Sequence, residues 1–262
     1  MVINMNEENL IKYYNKFNED KRLTTKHGMV EYLTAMKYIH TYLLDIENPK
    51  IIDIGAGTGK YSIALADEGY DVTAVELIKH NLRVIESKKS TVKACQGNAL
   101  DLSKFDDNSF DMVILFGPMY HLINMEDKLK ALSEAKRIVK KTGYILISYC
   151  MNEYCVLTYG FKEGNIKNCF TNNMLDDSYH CLSKIDDLYS MVRLEDINEL
   201  NEKSNLTRVK IISQDGPAEY MKKLINSMDD ETFNFFMNYH FSICERGELL
   251  GAGRHTLDIL KK

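Results

Sequence analysis

Residues 53 to 59 read Asp-Ile-Gly-Ala-Gly-Thr-Gly, between an apolar run, Lys50–Ile54, and a helix-forming segment, Lys60–Glu68. Glycines placed this way serve a turn that side chains would obstruct, and they let backbone approach a ligand closely. The helix start behind them offers unpaired N–H groups and the positive end of a dipole, which suits an anionic group. Glu76 closes the next β-branched run, Asp71–Val75, 21 residues after Gly55. A carboxylate there can accept hydrogen bonds from both hydroxyls of a ribose, so the pair of features implies an adenosine-type ligand.

Two such ligands fit. The dinucleotide fingerprint G-x-G-x-x-G would need glycine at position 60, where this chain has Lys60. Here the glycines stand at 55, 57 and 59, with the acidic Asp53 just ahead of the turn. That acid is unhelpful beside a pyrophosphate but can help hold an ammonium. S-adenosylmethionine carries an ammonium, a carboxylate and a sulfonium, and no phosphate. A hydride-transferring, NAD-dependent oxidoreductase stays as the competing enzyme class.

The elements that position this turn follow from periodicity. Asn6–Asp20 and Lys26–Ile46 carry apolar and aromatic residues at helical spacing and are expected to be amphipathic helices. From Lys50 strands alternate with helices: strands Lys50–Ile54, Asp71–Val75, Thr91–Gln96, Phe110–Phe116 and Tyr144–Tyr149, helices Lys60–Glu68 and Met125–Lys140, with Gly143 as a stop. Later come a helix at Arg193–Lys203, a strand at Thr207–Ser213, helices Ala218–Met228 and Asp230–Cys244, and a last strand at Arg254–Leu260. The expected fold class is therefore α/β, with a seven-stranded, mostly parallel, Rossmann-like sheet covered by helices on both faces. Residues 1–46 read as amino-terminal lid helices, 47–150 and 191–262 as the core, and 151–190, which has no strand pattern, as an inserted cap over the strand ends.

Composition narrows the partners. The 262 residues are 45% hydrophobic and 27% charged with a net charge of −5, proportions of a globular chain rather than a disordered one. No long basic run is present, so nucleic acid is not an expected partner. No apolar stretch reaches membrane-spanning length, and Met1–Leu10 lacks the basic and apolar regions of a signal peptide, so a cytoplasmic protein is expected. Six cysteines are scattered without a C-x-x-C pair or short-spaced Cys/His set. They read as reduced thiols, and no metal is expected.

The stretch Ile51–Ser148 resembles the class I S-adenosylmethionine-dependent methyltransferases, in the glycine turn and in the acidic end of the second strand. The resemblance implies that backbone at Gly55, Ala56 and Gly57 packs on the methionyl part, with Asp53 beside it. Glu76 would bind the ribose and Leu77 lie on the adenine. Where the family often has Gly-Asp-Ala, this chain has Gly97-Asn98-Ala99. An amide oxygen at Asn98 can still accept from the adenine amino group, without charge assistance. Phe116 and Gly117 fall where a backbone carbonyl meets the ammonium. Gly117-Pro118-Met119-Tyr120-His121-Leu122 resembles the G-P-L-Y-H-L loop of a bacterial small-molecule subgroup. Tyr13-Tyr14-Asn15-Lys16-Phe17, Lys21-Arg22-Leu23 and Glu31 resemble that subgroup's lid, where Tyr13 or Tyr14 would reach the cofactor's carboxylate, and Gly251–His255 resembles its end.

The implied function is methyl transfer from S-adenosylmethionine to a small-molecule acceptor, leaving S-adenosylhomocysteine. A non-catalytic module binding the same ligands is the alternative. Gly117-Pro118-Met119-Tyr120 lacks the polar residue and double proline of enzymes that methylate exocyclic or amide nitrogens, so adenine and glutamine acceptors are not expected. In-line transfer chiefly requires that nucleophile and methyl be held close with water excluded. A hydroxyl or protonated amine acceptor would also need a base, and His121 and Tyr120, at the carboxyl edge of the sheet, are the candidates; each could equally fix the loop. His255 is expected to tether the last strand, and the aromatics and methionines Tyr149, Tyr154, Tyr159, Phe161, Met119, Met151 and Met174 to pack the insertion or wall an acceptor pocket.

Overall fold

The computed structural model describes residues 5–14 and 23–262. Asn15, Lys16, Phe17, Lys21 and Arg22, and with them residues 15–20 of the first expected helix, lie outside the described residues.

Seven strands form one sheet: β1 Lys50–Ile54, β2 Asp71–Glu76, β3 Lys93–Gln96, β4 Phe110–Leu115, β5 Val139–Cys150, β6 Thr207–Ser213 and β7 His255–Lys261. Their order is β3-β2-β1-β4-β5-β7-β6. β7 alone runs against its neighbours β5 and β6, and the other pairs are parallel. The order reverses beside β1, with β2 on one side and β4 on the other, and in open α/β sheets this crevice at the strands' carboxyl ends is where ligands bind.

Alternation along the central strands splits the core in two. Ile52, Ile54, Val113, Leu115, Ile145 and Ile147 pack on one face against helices Met125–Ile138 and Leu194–Ser204. Ile51, Met112, Ile114 and Leu146 pack on the other against helices Lys26–Leu43 and Lys60–Asp67. Because both faces are covered, every residue of β4 is buried, and the strand reads as a continuous apolar run interrupted by Asp111. The carboxylate of Asp111 is matched by Lys140, whose ammonium donates to both oxygens at 2.8 and 2.9 Å.

Several expectations need correction. The helix expected over Met125–Lys140 ends at Ile138, and β5 begins at once, so Gly143 lies inside a strand instead of stopping a helix. A Cβ at 143 would stand 2.6 Å from the carbonyl oxygen of Asp111, so this glycine permits close approach beside the register shift between β4 and β5. Helix Lys79–Ser87 was not expected: only Asn81 and Ile85 are buried on it, too few to mark an apolar stripe. Ala218–Met228 is helical only over Lys222–Ser227, and Lys26–Ile46 only as far as Leu43. Residues 151–190 contribute no strand to the sheet; they hold helices Asn152–Cys155 and Ile166–Thr171, a π-helical stretch Val156–Lys162, and a Leu175–Cys181 bridge.

Candidate active site

The turn after β1 is built on positive φ: +73° at Gly55, +56° at Gly57 and +83° at Gly59, conformations that only glycine adopts without strain. A Cβ on Gly55 would lie 2.8 Å from Cδ of Pro118, so its absence also lets the β1 turn close on the loop after β4. The amide N–H groups of Gly55 and Ala56 donate to the carbonyl of Val75, and that of Gly57 donates to Glu76 Oε2 at 2.8 Å. The other oxygen, Oε1, accepts from Ile78 N–H at 2.8 Å, and the Asn81 side chain also bonds the carboxylate. Glu76 is thus aimed at the turn by its surroundings.

These loops bound a cleft of about 1250 Å³, its mouth included. Asp53, Gly55, Ala56, Gly57, Glu76, Leu77, Asn98, Ala99, Phe116, Gly117, Tyr14, Tyr120 and His121 all line it; Tyr13 does not. Sequence reasoning missed other lining residues, among them Leu10, Lys60, Tyr61, Asn81 and Asp127. Lys60 is drawn aside, its ammonium 4.8 Å from the centre of the Tyr32 ring. Asn81, one turn into the helix after β2, carried no signal beyond its place.

Two buried carboxyls face this cleft. Burial pushes Asp53 up to about 6, opposed by the Ser62 hydroxyl, which donates to Oδ2 at 2.5 Å. Burial likewise pushes Glu76 up to about 7, against the pull of its hydrogen bonds and with some help from Asp53 nearby. At neutral pH such acids are poised to ionise toward a cation or a pair of hydroxyl donors. The donor set fits S-adenosylmethionine: a fixed acid where sugar hydroxyls would donate, a second acid at the glycine turn, and apolar Leu77 and Ile78 where a base would lie. It suits a dinucleotide poorly, since Asp53 stands at the turn that would hold the pyrophosphate and Lys60 replaces the glycine its fingerprint needs.

The opposite wall is aromatic. His121 Nδ1 is 2.7 Å from the carbonyl of Leu188, which can only accept, so Nδ1 carries the proton and Nε2 accepts from the Tyr14 hydroxyl at 2.8 Å. Burial pushes this imidazole down to about 4, which keeps it neutral. The ring stands 5.2 Å from that of Tyr189 and 4.7 Å from that of Tyr120. Tyr120 in turn accepts from Ser190 N–H through its carbonyl, and Ser190 Oγ accepts from the buried Lys128 ammonium at 2.7 Å. The amino-terminal helix Met5–Tyr14 meets the same segment, Asn9 donating to the Asp186 carbonyl and the Tyr189 hydroxyl donating to that of Tyr13 at 3.3 Å.

Other candidates are engaged locally or lie outside the cleft. Asn98 Oδ1 accepts from Leu100 N–H at 3.0 Å, within its own loop. Tyr149, Met119 and Met151 are fully buried in the core, while Tyr159 and Phe161 are exposed; none of the seven aromatics and methionines singled out lines the cleft. His255 does tether β7: its N–H and Nδ1 both meet Asp215, at 3.0 and 2.8 Å, with Glu31 Oε2 at 3.4 Å. Burial alone would lower this imidazole, but Glu31 and Asp215 outweigh it and hold it protonated, up to about 10. Glu31, Asp215 and His255 are also grouped closely enough to hold a metal ion, yet a protonated His255 already balances the carboxylates.

Comparison with known proteins places these features. Residues 52–147 match a family described as "Methyltransferase domain". A demethylmenaquinone methyltransferase of Bacillus licheniformis is 34% identical over 119 residues, 43% of this chain and 48% of that protein. Another from Bacillus velezensis is 28% identical over 65% of this chain and 76% of its own length. The chain thus spans about half the length of the first curated relatives it matches. Among solved structures, an S-adenosylmethionine-dependent methyltransferase of Methanosarcina mazei superposes with a TM-score of 0.58 at 17% identity, covering 86% of this chain and 96% of that one. A possible histamine N-methyltransferase of Thermotoga maritima gives 0.56 at 17% identity, covering 95% and 97%. At such identities these structures establish the fold.

Proposed function

From a chain that carries a class I S-adenosylmethionine-dependent methyltransferase domain, we propose methyl transfer to a small-molecule acceptor held between the glycine turn and the Tyr14–Tyr120–His121 wall. The observation that carries this reading is the convergence of Glu76, the Gly55–Gly57 turn and that wall on one cleft. Bound S-adenosylmethionine supplies an electrophilic methyl on a sulfonium. Gly55, Ala56 and Gly57 cradle the amino-acid end, Asp53 and the backbone at Phe116 and Gly117 face its ammonium, and Glu76 grips the sugar. Leu77, Asn98 and Ala99 surround the base.

On the acceptor side the residues orient and exclude water, which is most of what an in-line displacement asks of a protein. His121 acts as a positioning residue rather than a base. Its Nε2 lone pair is engaged by Tyr14 and its low pKa makes it a weak proton acceptor near neutrality. Tyr14 and Tyr120 line the cleft on the acceptor side, and Tyr13 acts through Tyr189 to hold the helix that carries Tyr14. Helix Met5–Tyr14 serves as the lid and residues 151–190 as the cap, meeting at His121 and Tyr189, while helix Lys26–Leu43 belongs to the core. No helix among the described residues is long and apolar enough to cross a membrane. The net charge of −5 accords with an enzyme that has no nucleic-acid partner.

The test is an acceptor panel read by release of S-adenosylhomocysteine. It should include a demethylmenaquinone analogue, because relatives are named for that acceptor, and small phenols and amines. Turnover that falls at least tenfold in Tyr120→Phe or Tyr14→Phe, with cofactor binding retained, is the expected result. Binding of cofactor without turnover on any acceptor would favour the non-catalytic module instead.

A further inference from the structure

Cys155, Cys169 and Cys181 are separated by 14 and 12 residues in sequence, with no motif among them. The fold gathers them in one part of segment 151–190. Cys169 and Cys181 pack with Val156 and Leu175 in a small apolar cluster of their own. Cys155 closes the short helix Asn152–Cys155, and its side chain neighbours that of Cys181. The backbone holds this juxtaposition independently. The fully buried Asn152, one helical turn before Cys155, accepts from Cys181 N–H at 2.7 Å and donates to the Tyr179 carbonyl at 3.0 Å. Residues 179–181 are therefore clamped to the turn that carries Cys155.

We infer that Cys155 and Cys181 are a redox-active dithiol that closes to a disulfide when the protein meets a hydroperoxide. Both are half-buried and reachable by a small oxidant, whereas Cys150, Cys169 and Cys244 are buried. The thiolate of either is the attacking species. Its sulfur attacks one peroxide oxygen, the O–O bond breaks, and an alcohol or water departs, leaving a sulfenic acid. The other cysteine's sulfur then attacks that sulfur, the S–O bond breaks and water leaves with the thiol proton. Two thiols are oxidised and one peroxide is reduced. The bond closes a loop holding the π-helical stretch Val156–Lys162 and helix Ile166–Thr171, and a thiol reductant reopens it.

The experiment treats the full chain with hydrogen peroxide, blocks remaining thiols by alkylation and maps tryptic peptides. Expected is a reducible link between peptides 142–162 and 168–184, loss of two alkylatable thiols, and slower tryptic cleavage after the exposed Lys162 and Lys167. Cys155→Ser and Cys181→Ser should each abolish the link, and Cys169→Ser should keep it. Circular dichroism of the reduced variants checks that they fold, and differential alkylation of the unsubstituted protein gives the pairing without them. Six titratable thiols after oxidation, or a link surviving in Cys155→Ser, would overturn the inference.

Discussion

Glu76 offers the most discriminating perturbation, because its protonation acts with opposite sign on folding and on binding. Burial raises its pKa from 4.5 to about 7 in the folded chain. A shift of that size corresponds to roughly 3 kcal/mol. The folded state holds the proton longer than the unfolded chain, so stability falls as pH rises from the unfolded value through about 7. Asp53, raised from 3.8 to about 6, contributes with the same sign over its own, lower window. Binding runs the other way, since a carboxylate that accepts from two sugar hydroxyls must be ionised. Between about pH 8 and about pH 6 the ionised share of such a group falls from about nine-tenths to about one-tenth, so affinity should drop about tenfold. Glu76→Gln removes this residue's share of both dependences and leaves those of Asp53 and His255. It also leaves one of the two N–H donors, Gly57 or Ile78, facing an amide NH₂, so the slope and not the absolute level is the readout. Urea unfolding and calorimetric titration with S-adenosylhomocysteine, each run across that range on both proteins, supply the data. Parallel pH slopes for the two proteins, in either measurement, would refute the reasoning.

Further outcomes follow from single contacts. Gly55→Ala must place a Cβ 2.8 Å from Pro118 at a φ of +73°; a destabilisation of about 1–3 kcal/mol in urea and weaker cofactor binding are expected. Asp215→Asn strips His255 of its nearest carboxylate and leaves Glu31, 3.4 Å away, to face the buried cation, which should cost about 1.5–3 kcal/mol at neutral pH. Because His255 is raised from 6.5 to about 10, its contribution is complete below the lower value and lost as pH passes the upper, so the variant's deficit should shrink at alkaline pH.

What the sequence made legible was local. The glycine turn, Asp53 and Glu76 stand at fixed offsets around one strand–turn–helix unit, so reading the unit places them together, and the structure lines the cleft with all of them. The strands β1 and β6 matched to the residue because both are bounded by turn formers and read as unbroken apolar or alternating runs. Helix Lys79–Ser87 escaped because it rests on the sheet through little more than Ile85. Gly143 misled because a glycine that admits a neighbouring carbonyl looks, in sequence, like one that ends a helix. The His121 partners, the Lys128–Ser190 contact and the cysteine cluster join residues up to 107 positions apart. No local period encodes such pairs; they exist only once the sheet order has brought the loops to one edge.

The central claim is best tested by a crystal structure of the complex with S-adenosylhomocysteine. The sugar hydroxyls should lie within hydrogen-bond distance of Glu76, the base against Leu77, and the amino-acid end over Gly55–Gly57. A ligand seated elsewhere, or crystals grown in excess ligand that show Glu76 bonded only to Gly57 and Ile78, would contradict it.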